Sequence, residues 1–312
     1  MSVVVLAHTR SQFLRRAVTS AAVQRPDELL VVKFGRDPEL DEELTQQGVR
    51  VHVTQEPYQG GKVADGIDLA RGDVVVFLDD DDVLLPGKVD RVRNVFRDPG
   101  AVFHANRFVA FTDTPPPSGS MGPVELFEPG SGNLYRAGLR PVITSCMSVR
   151  KGALAPWLDD LRKLTIADHS VFIMAVTARK RMAMDQSVLT GYHLNVADRA
   201  YRSSSTIWAS PGVSPNRDIR WMLDVLDREA GGVHETLNPV VANAILHLVF
   251  LSREPHFHEY RRTMRAILRG VGVRRPLTVP TLLMFGYPLA PRVAVVLGRT
   301  WWSLVGPRRD LS

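Results

Sequence analysis

Four carboxylates in a row, Asp79-Asp80-Asp81-Asp82, follow directly on the apolar run Val75-Val76-Phe77-Leu78 and lead into Val83-Leu84-Leu85-Pro86. Adjacent carboxylates repel one another, so a fold that keeps them at a strand end must offset the charge with a cation, basic groups or water. Hard divalent cations favour such oxygen ligands. The competing reading is a solvated acidic turn that caps a helix starting near Pro86, since Asp suits helix starts and Pro the first turn.

The elements that must position these groups show in the hydrophobic pattern. Residues 2 to 7 and 28 to 34 are continuous apolar runs of strand length, and between them Phe13, Leu14, Ala17, Val18, Ala21 and Ala22 recur at helical spacing. Val49 to Val53 predicts a short strand, Lys62 to Ala70 a helix, and Val74 to Leu78 a buried strand. This alternation implies an α/β fold with a mainly parallel, doubly wound sheet. Ligands gather at the carboxyl ends of strands in such sheets, and His8-Thr9-Arg10, Lys33 and Asp79 to Asp82 all fall at such ends. Three separate segments thus converge on one crevice.

Further on, residues 99 to 150 are less regular. Thr112 to Gly122, with three consecutive prolines, predicts an exposed loop. Val142 to Val149 predicts a strand, Thr165 to Arg179 a helix, Ala183 to Tyr192 a strand, and Asn216 to Glu229 a helix. Beyond it the chain changes character, so a domain boundary is expected near residue 232.

The chain has 312 residues, 45% of them hydrophobic, enough for a large domain with an appendage. A single cysteine, Cys146, excludes an internal disulfide framework and fits a reducing compartment. The N-terminus enters a strand pattern without a basic region, so no cleaved targeting segment is expected. The net charge of +6 is unevenly spread: residues 253 to 312 hold eleven Arg and three acids, net +8, leaving about −2 for the rest. The basicity belongs to a tail that also holds apolar residues and Trp301-Trp302, which favours an anionic membrane surface over nucleic acid.

With the acidic turn and its crevice in place, the first two hundred residues resemble family 2 glycosyltransferases with the GT-A fold. Four segments carry the resemblance: Val3 to Arg10; Gly60-Gly61-Lys62-Val63-Ala64-Asp65-Gly66-Ile67; Ala70-Arg71-Gly72-Asp73 leading to Phe77-Leu78-Asp79-Asp80-Asp81-Asp82; and Ala167-Asp168. The resemblance implies a nucleotide-sugar donor and a divalent cofactor, Mn²⁺ or Mg²⁺. By position, Asp81 is the expected direct metal ligand, Asp79 is shared between metal and ribose, and Asp80 and Asp82 support them. Ala7, His8, Arg10, Lys33, Lys62, Asp65 and Asp80 are the expected donor-binding residues, with Gly60 and Gly61 allowing close backbone approach to a ligand. Arg199 and Arg202 are expected to close over the diphosphate, and His193, after Gly191-Tyr192, stands where relatives place a metal or phosphate ligand.

One departure concerns the second strand, Val31-Val32-Lys33-Phe34-Gly35-Arg36-Asp37, which lacks the acidic pair that commonly contacts the nucleoside. Asp168 occupies the position of the general base of inverting transfer. The same stretch, Thr165-Ile166-Ala167-Asp168, also resembles a helix capping box.

Phe257, Tyr260, Met264, Ile267 and Leu268 lie at helical spacing opposite Arg261, Arg262, Arg265 and Arg269, the pattern of a basic amphipathic interface helix. The apolar stretches Leu237 to Leu251 and Leu277 to Val305 are each imperfect as spans, one short and one broken by prolines and arginines. The expected organisation is therefore a GT-A catalytic domain over residues 1–232 and, over 233–312, a helical membrane-associated domain with an amphipathic interface helix and short transmembrane or re-entrant helices, the catalytic part lying on the cytoplasmic side of the cell membrane. The layout resembles membrane mannosyltransferases acting on dolichyl or polyprenyl lipids, with a reduced cellulose synthase-like membrane region. It implies transfer of mannose from GDP-mannose to a dolichyl or polyprenyl phosphate or a lipid-linked glycan. A nucleotidyltransferase and a membrane-tethered, non-catalytic nucleotide-binding module are the alternatives from other classes.

Overall fold

The computed structural model describes residues 1–7, 11–128, 143–194 and 215–229, together with the helical positions Val233, Leu237, Val240, Val241, Ala244, Ile245 and Arg262. The chain divides into two compact units, Met1–Leu194 and Asn195–Ser312.

The first unit is built on a nine-stranded sheet. Strands β1 (Ser2–Ala7), β2 (Glu28–Phe34), β3 (Arg50–Thr54) and β4 (Val74–Asp79) lie in the order β3-β2-β1-β4, all parallel. The Val and Leu runs of β1, β2 and β4 are buried on both faces, as parallel strands covered by helices require, whereas Val51 and Val53 of the edge strand β3 are only partly buried. Helices α1 (Ser11–Ala22), α2 (Pro38–Gln46) and α3 (Gln59–Leu69) supply the crossovers. Leu14, Ala17, Val18 and Ala21 of α1 meet Val3, Val5, Val31 and Val76 of the sheet in one core.

The other half of the sheet is antiparallel in part, which corrects the expectation of a mainly parallel sheet. β8 (Met147–Arg150) enters between β4 and β6 (Ala101–Phe111), antiparallel to both. β6 then pairs in parallel with β9 (Arg181–His193), whose far side takes β7 (Val124–Phe127) along one half and β5 (Val83–Leu84) along the other, both antiparallel. An apolar run buried on both faces reads the same in either direction, so the sequence pattern finds such a strand without giving its sense.

β6 escapes the sequence reading because its first half is wholly buried while its second half alternates. His104 inside it looks disruptive, yet its ring lies 3.3 Å from Asp185, which also accepts from Arg91 at 2.8 Å. Those bonds hold Asp185 below the ordinary carboxylate range although burial alone would push it up. Helices α4 (Lys88–Val95), α5 (Lys151–Leu154), α6 (Leu158–Lys163) and α7 (Asp168–Thr177) complete the unit.

In the second unit, α8 spans Pro215–Arg228. Val233, Leu237, Val240, Val241, Ala244 and Ile245, spaced as one face of a helix, are all buried. Arg262 donates to Asp224 at 2.8 Å and to Asp227 at 2.7 Å, so this arginine of the expected interface helix is ion-paired to α8. Among the described residues no helix is long and apolar enough to cross a membrane. Residues 246–261 and 263–312 lie outside the described residues, as do most of the expected membrane-facing positions.

Candidate active site

The parallel ladder brings the expected strand ends to one edge. Leu6 registers with Asp79 and Ala7 with Lys33, and the backbone N–H of Asp80 donates to Leu6 O at 3.2 Å. From there the four carboxylates span the step from β4 to β5, across the top of the sheet. They do not cap α4: that helix begins behind Gly87, which takes a left-handed φ of 86° and supplies no side-chain cap. An acidic helix cap is therefore excluded as the reason for the run.

The four carboxylates differ in setting. Asp79 and Asp81 keep partial exposure, whereas Asp80 and Asp82 are each only 1% exposed. Asp82 turns inward and accepts the backbone N–H of His193 at 2.9 Å. Burial, followed by the charges of Asp82, Asp168, Asp81 and Asp80, pushes the Asp79 carboxyl well above its ordinary range. Asp168 thus lies within electrostatic reach of Asp79 although 89 residues separate them in sequence.

Two basic groups temper this negative charge. Arg16 of α1 donates to Asp81 O at 2.9 Å, its guanidinium stacked 5.3 Å from the Phe13 ring and 5.0 Å from Phe111. Burial lowers its pKa while Asp81 and Asp82 oppose that shift. Lys88 is fully buried beneath the turn, donating to Ser145 O and, at 3.1 Å, to Thr190 Oγ1. Desolvation pulls its ammonium down to about 8, against the charges of Cys146 and Asp82. Cys146 beside it is pushed up to about 12 by burial, which makes it an inert thiol.

A one-turn 3₁₀ segment, Thr144–Cys146, joins the acidic turn to the expected base. Asp79 N–H donates to Ser145 Oγ at 2.9 Å, and the neighbouring Thr144 N–H donates to Asp168 Oδ1 at 2.9 Å. Thr144 Oγ1 bonds the same oxygen and accepts from Gln59 Nε2 at 2.8 Å. Asp168 is the first residue of α7, whose start at Ala167 has no side-chain cap, so its carboxylate faces Thr144 rather than closing a capping box. Burial raises its pKa, and the bonds from Thr144 and Gln59 oppose the rise.

The remaining expected site residues are placed as follows. Lys33 reaches the sheet edge, 4% exposed, with its ammonium bonded to Asp41 of α2. Lys62 and Asp65 lie on α3; Lys62 is 6% exposed, and Asp65 accepts from Thr54 Oγ1 at 2.5 Å with Arg162 3.6 Å away. The His193 ring is wedged 4.8 Å from Phe13 and 5.1 Å from Phe111, and its Nε2 lies 2.8 Å from Thr112 O, which makes Nε2 the donor. His8, Arg10, Arg199 and Arg202 lie outside the described residues.

Sequence reasoning passed over Gln59, Thr144, Ser145, Arg16 and Lys88. Thr144-Ser145 left a faint signal, two polar residues inside the apolar stretch from Val142 to Met147. Lys88, just after Gly87, is indistinguishable in sequence from a solvated helix-start lysine.

The carboxylates suit a divalent cation: burial first, and then the charges of the neighbouring aspartates, push Asp79 up, a cost that a bound cation would offset. Among the described residues no three His, Cys, Asp or Glu side chains are gathered so as to hold a metal unaided. Mg²⁺-type sites commonly combine one or two carboxylates with substrate phosphates, which this arrangement permits.

Comparison with known proteins bears on the fold. Residues 2–155 match the family described as Glycosyl transferase family 2. The chain also resembles the crystal structure of S. aureus TarS 1-349 in complex with UDP-GlcNAc, with a TM-score of 0.61 at 14% identity, covering 97% of this chain and 92% of that one. The TarS 1-349 complex with UDP gives a TM-score of 0.61 at 12% identity, covering 97% and 91%. Against the S. aureus TarS structure the figures are 0.60 and 15%, covering 96% of this chain and 54% of that one. No curated protein matches the chain significantly in sequence. At such identities the likeness fixes the fold, which is the GT-A α/β fold with a mixed central sheet flanked by helices.

Proposed function

From a glycosyl transferase family 2 domain over residues 2–155 as premise, we propose that this chain is a metal-dependent, inverting glycosyltransferase using a nucleoside diphosphate sugar. The observation that carries the reading is the bridge through Thr144 and Ser145, which ties the backbone of Asp79 and the carboxylate of Asp168 to adjacent residues. A leaving-group site and a proton acceptor must be held at a fixed separation for in-line displacement, and this bridge supports that.

Asp79 and Asp81 would hold a Mg²⁺ or Mn²⁺ ion, with Asp80 and Asp82 buried behind them and Lys88 balancing part of their charge. When bound, that ion neutralises charge developing on the departing nucleoside diphosphate. Asp168 takes the proton of the acceptor hydroxyl as that oxygen attacks the anomeric carbon opposite the leaving group, giving inverted stereochemistry.

For the donor, a uridine diphosphate sugar ranks first, because TarS 1-349 is seen with UDP-GlcNAc and with UDP. GDP-mannose and a dolichyl or polyprenyl-linked acceptor rest on the sequence resemblance alone. Lys33, bonded to Asp41, is not needed for this reading, and His193 serves it through packing and its bond to Asp82.

The test is a donor panel including UDP-GlcNAc and GDP-mannose, with nucleoside diphosphate release measured in Mn²⁺, in Mg²⁺ and after chelation. Release that requires a metal is the expected outcome. No metal-dependent turnover of any donor overturns the proposal, and pyrophosphate release instead identifies a nucleotidyltransferase.

A further inference from the structure

We infer that Gln59 and Thr144 are positioning residues for Asp168: Thr144, itself held by Gln59, places two donors on Oδ1 and so directs the acceptor's proton to Oδ2. The inference rests on Asp168 being the base of the proposed transfer.

The direction of these bonds follows from the donor inventory. Ala167 N–H can only donate, and it lies 3.0 Å from Gln59 Oε1, which fixes the amide's orientation. Gln59 Nε2 must then be the group 2.8 Å from Thr144 Oγ1, and it too can only donate. Having accepted that bond, the Thr144 hydroxyl directs its single proton onward to Asp168 Oδ1. Thr144 N–H gives the same oxygen a second bond at 2.9 Å. A carboxylate oxygen already holding two donors is the weaker proton acceptor of the pair, so protonation falls on Oδ2.

The three residues come from α3, the 3₁₀ segment before β8, and α7. Thr144 is fully buried, so water does not compete for its hydroxyl. The base is thereby oriented from outside its own helix, by segments that also carry Ser145 and its bond to Asp79.

Thr144→Val keeps the shape and removes the hydroxyl, and Thr144→Ser restores it. Gln59→Met keeps the length without adding charge and removes the amide that holds Thr144. In ¹³C-aspartate NMR titrations of the full chain, with Asp168→Asn assigning the signal, Thr144→Val and Gln59→Met should raise the Asp168 midpoint, by about one pH unit for Thr144→Val. Thr144→Ser should leave it in place, and Gln59→Met serves where Thr144→Val fails to fold. An unmoved midpoint in the folded variants overturns the inference. With UDP-GlcNAc and Mn²⁺, Thr144→Val should lower kcat about tenfold at unchanged donor KM. Wild-type turnover in Thr144→Val, while Asp168→Asn abolishes it, overturns the inference and leaves the transferase reading standing. Turnover retained in Asp168→Asn ends the base assignment, and the inference with it.

Discussion

Burial, and then the charges of four neighbouring aspartates, push the Asp79 carboxyl well above its ordinary range. Folded Asp79 and Asp168 both hold protons more tightly than the unfolded chain does. Stability is therefore lost as pH rises from the ordinary carboxylate range through the raised folded values. At neutral pH Asp79→Asn should raise the melting temperature, an effect that disappears in acid, and Mn²⁺ should stabilise the wild type more at neutral than at acid pH. Calorimetry in both conditions checks this, and a melting temperature indifferent to Mn²⁺ at neutral pH counts against the cation site. Activity should follow Asp168: the acid limb of the rate profile should lie above the ordinary Asp range, since only the deprotonated base works. Asp81→Asn should lower donor turnover by about 10²-fold or more, read as nucleoside diphosphate release at saturating Mn²⁺. The carboxylates were readable in the sequence because four in a row are a local feature. Gln59 was not, because it bonds Thr144 and Ala167 at separations of 85 and 108 residues.

Among the elements, α3 and the turn before β8 set the site's dimensions. A Cβ added to Gly60 would lie 2.3 Å from Leu161 O and 2.4 Å from Leu164 O, so α3 packs directly on the backbone at the end of α6. The sequence reading assigned Gly60 and Gly61 to close approach by a ligand; at Gly60 what approaches is protein backbone, and at Gly61 it is the Glu56 side chain at 2.5 Å. Gly60→Ala should cost about 1–3 kcal/mol in urea unfolding, with activity falling too because Gln59 is the preceding residue. Ser145→Ala strips the Asp79 N–H of its acceptor, for a loss of about 1–3 kcal/mol by the same measurement. Strands β1 to β4 and helices α1 and α3 were legible from hydrophobic period, while α2 was passed over. β6 was not legible, because its buried His104 and Asn106 find partners on Asp185 and Thr190, which lie 81 and 84 residues away.

For the molecule as a whole, most of the basic tail lies outside the described residues. The net charge of +8 over residues 253 to 312 supports our proposal that this segment meets an anionic membrane surface. Arg262, however, is bonded to Asp224 and Asp227, and six apolar positions from Val233 to Ile245 are buried in protein. A peripheral attachment through the remaining arginines follows: the full chain should float with vesicles containing anionic phospholipid, be released by high salt, and leave membranes on carbonate extraction. Retention after carbonate would show that it is integral instead. The sequence by itself determined that β4 ends in a concentrated negative charge and that strands and helices alternate before it, because charge density and periodicity are local properties of a chain. Only the tertiary structure decided that Asp80 and Asp82 are the buried pair, that Lys88 lies beneath them, and that Asp168 is held through Thr144. Those facts depend on contacts between residues far apart in sequence, and no local pattern encodes which distant partner will be there.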